Sequence, residues 1–473
     1  MVLRIRKNKE NRIFRWYLLA MFGLLTARYL LGIPVPAIVF LLVAMVPIWF
    51  GSISEQLAFV ATCIPFSVAF QYKYAILILT VAVLIRHHWR LKRSGAFILV
   101  LFMMAWELWH AVYGRFSYVE YLRDFAELIL LGIITSVDLE QVDHRLVIRA
   151  LSVSVVGVCV IMLFMQLQQH NYNLAAVFAR SAHSFRFGQS NMKNGEYALN
   201  FNANNLGFIC NLSTCGILLL ASGREHSRRD LVLAVCGVIF ALMTMSRAAI
   251  VCAAMIFFAY LIFSEGKLIR KIFNGIGGIL TAIVAFVLVW MFVPSLYENI
   301  LERFQRADVW NGRGGLFHYY GMYLKSSWKY LLFGVGMQEI FAKVSPYYPV
   351  LDVPHNGLQE VWVAWGVVGV AMMLTVFWNM ISGSLRYAGG KRRMYQYVPL
   401  ALTLLFTMSG QLLTSSRALL ALTFSYVCLC VEKKQDDVNQ VPEPKEEIWT
   451  EERWNAGRAI PGRWQCPCQD TDV

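Results

Sequence analysis

Charge is what this chain of 473 residues has least of: only 15% are Asp, Glu, Lys or Arg, against 58% hydrophobic. Soluble domains carry about 25% charged and about 45–50% apolar residues, so a soluble globular, disordered or fibrous chain is excluded. A Walker motif, a dinucleotide fingerprint and a zinc motif are also missing, so the sequence implies neither ATP hydrolysis nor a cofactor or metal. Outer-loop cysteines are absent too. Eight cysteines (Cys63, Cys159, Cys210, Cys215, Cys236, Cys252, Cys428 and Cys430) fall in apolar stretches and read as small hydrophobes. Cys466 and Cys468 lie in a polar tail, so no disulfide framework is implied, and Cys-Pro-Cys lacks two of the four usual metal ligands.

What the chain does have is apolar runs. They lie near 16–31, 34–50, 55–70, 74–86, 94–113, 118–136, 147–168, 200–222, 229–246, 247–264, 271–294, 355–383, 397–414 and 416–432. A full span needs about 20 residues. The runs at 55–70 and 74–86 are short and read as two spans or one broken pair. The expected fold is all-α and polytopic, with about 12–14 transmembrane helices. Arg4, Arg6, Lys7, Lys9, Arg12 and Arg15 precede the first run, and no small-residue cleavage site follows it. The first run is therefore expected to be an uncleaved helix.

The net charge of +14 is explained first by topology. Basic runs occupy Arg86 to Arg93, Arg224 to Arg229, Lys267 to Lys271 and Arg386 to Arg393. With a cytoplasmic N-terminus all of them fall inside, and both termini are expected to be cytoplasmic. Two domains follow: a membrane body over 1–432 and a tail over 433–473. From Val431 onward the chain carries ten acids and six bases with Pro442, Pro444, Pro461 and Pro467, so the tail is expected to be disordered. Two outer segments are long, at about 169–199 and about 295–354. In the second, Phe317, Tyr319, Tyr320, Tyr323, Trp328, Tyr330 and Phe333 suggest a helix lying at the membrane interface, with a simple aromatic belt as the alternative.

The outer face holds the residues with chemistry. His355 sits in Asp352-Val353-Pro354-His355-Asn356, where a loop enters a membrane helix. Pro354 suits the first helical turn and Asp352 a cap. The positive helix end disfavours an imidazolium, which makes His355 a candidate general base; the other reading is a capping histidine. Arg247 and Arg417 each stand in Ser-Arg-Ala at an expected outer turn, and Arg186 and Arg313 lie in the two long outer segments. Several outer arginines suggest a bound anion, for which forked guanidinium donors suit a diphosphate. The alternative is snorkelling to lipid phosphate. Asn202, Asn204 and Asn205 open a helix and read first as caps. Glu107, Glu120, Arg123, Asp124 and Glu127 lie near the fifth and sixth helices, with Arg123 and Glu127 spaced to pair at i,i+4.

At this point the chain resembles the bacterial O-antigen ligase and O-antigen polymerase superfamily. His355-Asn356, nine residues, then Gly366-Val367-Val368-Gly369 looks like that family's His-Asn-x9-Gly-x-x-Gly pattern. Gly312-Arg313-Gly314 through Leu332-Phe333-Gly334-Val335-Gly336 is similar to its outer-loop segment, and Ser246-Arg247 to its arginine at an outer turn. Arg186 to Asn205 resembles the segment leading into a central helix, with Ala203 where the family often has proline. The resemblance covers roughly 180 to 430. It implies a GT-C-like membrane glycosyltransferase with a large outer loop over about 295–354, in the cytoplasmic (inner) membrane of a bacterium. It implies a glycan donor on polyprenyl diphosphate, a glycan or lipid acceptor, membrane lipids as surroundings, and no metal, nucleotide or nucleic acid. Carried over, His355 is the base, Arg247 and Arg313 hold the leaving diphosphate, and Arg186, Arg417, Asn356 and Asn205 bind substrate.

Two other functions fit the spans. A transporter or flippase for a lipid-linked or anionic substrate would use Glu107, Glu120, Asp124 and Glu127 as an ion path and predicts an inverted repeat. A scaffold or sensor would act through the polar tail.

Overall fold

The computed structural model describes residues 12–87, 94–111, 117–139, 142–173, 176–177, 201–221, 227–263, separate positions between 269 and 305, then 313–350, 352–385, 394–408, 410–414 and 417–431. The expected span at 271–294 lies outside the described residues apart from those separate positions, as do the basic runs for the most part. The chain divides into two compact units, Met1–Glu432 and Lys433–Val473. The second lies outside the described residues.

Among the described residues there are helices and no strand. In chain order they are α1 (Arg12–Tyr29), α2 (Ala37–Phe50), α3 (Ile53–Phe66), α4 (Tyr72–His87), α5 (Gly95–Ala111), α6 (Tyr118–Ile134), α7 (His144–Gln169), α8 (Ala203–Ala221), α9 (Arg228–Met243) and α10 (Arg247–Phe263). Then follow α11 (Arg313–Lys325), α12 (Trp328–Phe333), a 3-10 turn (Met337–Glu339), α13 (Ile340–Val344), α14 (Gly357–Ser384), α15 (Val398–Met408) and α16 (Ala418–Leu429). This is a polytopic membrane architecture, and each apolar run outside 271–294 becomes a helix. The helices are shorter than the runs. Among the described residues three, α7, α8 and α14, are long and apolar enough to cross a membrane by themselves.

Burial explains the short ones. All 14 residues of α3 and all 12 of α16 are buried. At 1.5 Å rise per residue α16 is about 18 Å long, well under the ~30 Å hydrocarbon core. It is surrounded by protein, so its length need not match the lipid. The exterior is apolar instead: Leu19, Phe50, Phe102, Leu231, Ile262 and Trp378 are each more than 60% exposed. Patches of that kind belong against lipid.

Caps fix where the helices begin. Ser52 and Glu55 form a capping box on α3, and Glu55 also accepts from Phe14 N at 3.1 Å, tying α1 to α3. Ser227 and Asp230 form another on α9, and Asp230 receives a bidentate pair from Arg149 of α7 at 2.8 and 2.7 Å. Asp143 caps α7, and its N–H donates to Ser54 at 2.9 Å. These contacts gather the starts of α3, α7 and α9 at one end of the body. At the other end, just past the finish of α3, Ser67 meets Arg417.

The long segment before His355 is not one interfacial helix. It folds into α11, α12 and α13, and Tyr320 and Tyr323 are 0% and 3% exposed. Alternate faces of this aromatic run turn inward against α14, while Phe317 and Trp328 stay outside.

Candidate active site

His355 stands two residues before α14. Its Nε2 lies 3.3 Å from the Asp352 carboxylate, and its side chain is 27% exposed. The α14 cap is Asn356 rather than Asp352: Asn356 Oδ1 accepts from Gln359 N at 3.0 Å, while Nδ2 donates to the Met408 carbonyl at 3.2 Å. Asp352 is freed from capping and accepts from Val353 N at 2.8 Å. α11 and α12, joined through Ser326 and Ser327 as a helical hairpin with Tyr323 stacked on Tyr330, reach the same segment. Tyr320 donates to the Asp352 carbonyl at 2.9 Å, and Gln359 Nε2 donates to the Phe317 carbonyl at 2.8 Å. Burial, with Asp352 and Glu360 nearby, raises the Tyr320 phenol, so it stays a donor. A histidine beside an orienting carboxylate is the geometry of a base held in one tautomer.

The two glycine motifs meet. Within α14 Gly366 has φ +68°, which breaks the helix there. Gly334, at φ +76°, ends α12. A side chain at Gly366 would run into the Leu332 carbonyl, and one at Gly334 into that of Ala364. Only glycine gives both the conformation and the close approach. The carbonyls of Val363 and Ala364 accept from Val335 N at 2.9 Å and Gly336 N at 2.7 Å. Glu107 of α5 completes the joint. It accepts from Met337 N at 2.9 Å, Gln338 N at 3.4 Å and Trp365 Nε1 at 2.7 Å. Glu107 is therefore a clamp between α5, α14 and the hairpin.

Glu360 extends the site to the second arginine turn. It is fully buried and accepts from Leu412 N at 2.5 Å, Leu413 N at 2.9 Å, Thr414 N at 2.9 Å and the Thr414 hydroxyl at 2.5 Å. This carboxylate holds the loop between α15 and α16. Arg417 follows three residues later. Its Nε donates to Ser67 at 3.1 Å and its guanidinium lies 4.7 Å from the Phe201 ring centroid. Glu127 and Tyr72 lie within electrostatic reach of it. The Tyr72 hydroxyl donates to Glu127, and Lys73 pairs with Asp124 at 3.3 Å. Arg123 pairs with Asp124 at 3.3 Å and Glu120 at 4.0 Å rather than with Glu127. Glu127 faces the interior of α6, away from the exposed face that carries Arg123.

Arg247 opens α10 directly after a turn in which Met245 has φ +52°. Ser246 secures the turn by donating to Asn204 Oδ1 at 2.8 Å. Asn202 accepts from Asn204 N at 2.9 Å and supplies the cap of α8. Asn205 is half-buried one residue further along α8. Both Ser-Arg-Ala turns thus place an arginine at a helix N-terminus, where the dipole disfavours a cation and favours an anion. Arg313 is the first residue of α11, though its side chain lies outside what is described, and Arg186 lies outside the described residues.

Glu360 has no place in the sequence pattern, and Glu107 has one only in the transporter reading, as part of an ion path. The available signal for Glu360 was an acidic residue inside an apolar run, five positions after His355, since intramembrane carboxylates are paired or functional.

Two family models match the chain. Residues 232–374 match the one described as O-antigen ligase, and residues 132–292 match dolichyl-phosphate-mannose-protein mannosyltransferase. The first stretch contains Arg247, Arg313, His355, Asn356, Gly366 and Gly369; Arg186 lies in the second, and Arg417 in neither. No curated protein matches. Together the two matches support the O-antigen ligase/polymerase-type membrane glycosyltransferase superfamily, of the GT-C kind, and a role in moving glycans during polysaccharide biosynthesis.

Proposed function

We propose that this O-antigen ligase/polymerase-type membrane glycosyltransferase moves a glycan from polyprenyl diphosphate to a hydroxyl acceptor at the outer face of the bacterial cytoplasmic membrane. The observation that carries the reading is the His355–Asp352 pair, held by Tyr320 and set beside the Asn356-capped start of α14. With Asp352 orienting the ring, the imidazole of His355 takes the proton of the acceptor hydroxyl. The acceptor oxygen then forms its bond to the anomeric carbon. The bond from that carbon to the diphosphate breaks, and its electron pair leaves with the diphosphate. Arg247 and Arg313 stabilise the departing charge, as preorganised cations do in a site shielded from water. In this reading the chain's own cations do the work without a metal.

Arg186 and Arg417 add positive charge. Asn205 faces substrate from α8, and Asn356 contributes by fixing the helix start next to His355. Both termini are cytoplasmic, which puts the basic runs inside and His355 outside. Whether the acceptor is the next lipid-linked repeat unit or a lipid core, the chemistry is the same.

Cells lacking the protein, complemented with wild type or His355→Ala, test this. Surface polysaccharide is resolved on a gel and lipid-linked glycans are identified by mass spectrometry. The variant is expected to insert normally, lose polymer and accumulate lipid-linked glycan facing outward. Single repeat units mark a polymerase, and full-length unligated chains a ligase. Normal polymer in His355→Ala cells refutes the mechanism.

A further inference from the structure

We propose that the tyrosines of the hairpin, with Tyr347 at the rim, form a glycan-binding platform that presents the acceptor sugar to His355. The inference rests on the transferase reading and deepens it by separating the sugar subsite from the diphosphate subsite.

Five tyrosines form one ring cluster. Tyr323 and Tyr330 stack at 4.7 Å with 14° between planes. Tyr347 and Tyr348 lie 6.3 and 6.5 Å from Tyr323, and Tyr319 lies 5.9 Å from Tyr348. Tyr323 is buried and makes the floor, while Tyr347 is 74% exposed. The rim is pre-shaped. Pro346 and Pro349 bracket Tyr347 and Tyr348, fixing φ on both sides. The Tyr347 and Tyr348 N–H groups both donate to the Val344 carbonyl, at 3.0 and 3.1 Å. A site already ordered loses little entropy on binding.

The choice of residue identifies the occupant. A lipid belt asks only for an amphipathic ring, and Trp328 already supplies an exposed one on this hairpin, with Phe317 exposed beside it as a purely apolar ring. A clustered set of tyrosines offers ring faces for the C–H surface of a pyranose and phenol hydroxyls for its OH groups. Neutral rings do not recognise a diphosphate, for which the arginines are suited. Position gives the second argument. Tyr320, adjacent to Tyr319, donates to the Asp352 carbonyl at 2.9 Å, and Asp352 pairs with His355 at 3.3 Å. Platform and base are fixed to one another through these contacts, so a sugar seated on the first is held in register with the second.

The test uses the full-length protein in lipid nanodiscs. The probe is the oligosaccharide released by mild acid from the producing organism's lipid-linked glycan, with binding measured by calorimetry and acceptor KM and kcat by product formation. Tyr347→Ala is expected to weaken binding and raise acceptor KM roughly five- to tenfold, the size of one aromatic stacking contact, with little change in kcat. Tyr347→Phe is expected to keep most of the affinity, and Trp328→Ala all of it. Wild-type affinity in Tyr347→Ala overturns the proposal, as does an equal loss in Trp328→Ala, which would mark a general interfacial belt. His355→Ala separates the two readings: it is expected to bind the oligosaccharide normally while transferring nothing. Normal transfer by His355→Ala refutes the transferase mechanism whatever Tyr347 shows.

Discussion

Replacing Glu360 by Gln is a one-atom exchange with a calculable cost. Four donors converge on this carboxylate: three backbone N–H groups from 412–414 and the Thr414 hydroxyl, all between 2.5 and 2.9 Å. A carboxylate accepts all four, two at each oxygen. Glutamine offers one oxygen, and its NH2 faces two donors instead of receiving them. Each buried donor left without an acceptor costs about 1–3 kcal/mol, and the Thr414 hydroxyl can turn away, which leaves one stranded N–H and a total of up to about 3 kcal/mol. The loop that loosens leads straight into Arg417. If the whole cost falls on the arrangement needed for transfer, the rate drops about 100-fold. Thr414→Val, which removes one donor together with its hydroxyl, is expected to cost about 1 kcal/mol. Thermal unfolding in nanodiscs and transfer to a defined acceptor read the two effects separately. Because Glu360 acts through the Arg417 loop, Glu360→Gln with Arg417→Ala should be no worse than the more damaging single change. A Glu360→Gln protein that unfolds and transfers like wild type would refute the reasoning.

Two further substitutions probe the frame. Gly366→Ala forces a Cβ into the Leu332 carbonyl at a positive φ, and is expected to abolish folded protein in the membrane fraction; Gly23→Ala in α1, with open space around it, should leave the level unchanged. Asp230→Asn leaves the bidentate Arg149 half-satisfied and weakens a helix cap, and is expected to destabilise by about 1.5–3 kcal/mol, read as a lower unfolding midpoint without a change in acceptor KM.

The candidate site was partly legible in the sequence, and the reasons differ by residue. His355-Asn356 stood out because it opens an apolar run after a long polar segment and resembles a family's His-Asn pattern. The loop and helix glycines stood out as a spacing, but their purpose did not. Gly334 and Gly366 are 32 positions apart and work by facing one another, a contact no local pattern encodes. Asp352 read as a helix cap because it precedes Pro354. The cap is Asn356, whose side chain reaches Gln359 N three residues on, and Asp352 turns to the imidazole. Arg123 and Glu127 have the right spacing to pair, yet Glu127 belongs to the buried stripe of α6 and meets Tyr72 instead.

By itself the sequence determined the membrane class, the helical content and nearly every helix position. Apolar runs of helical length, interrupted by polar or basic loops, leave no other way to satisfy backbone groups in lipid. It also marked His355, Arg247 and Arg417 as candidates, since a charged or titratable side chain where a membrane helix begins is a functional-site hypothesis. Tertiary structure decided the partners. It placed α3 and α16 in the interior, where helices too short for a bilayer are enclosed by protein. It turned the carboxylates Glu107 and Glu360 into clamps on loops more than 50 positions away. Buried charge must find its donors wherever the packing supplies them, and packing is a property of the whole bundle.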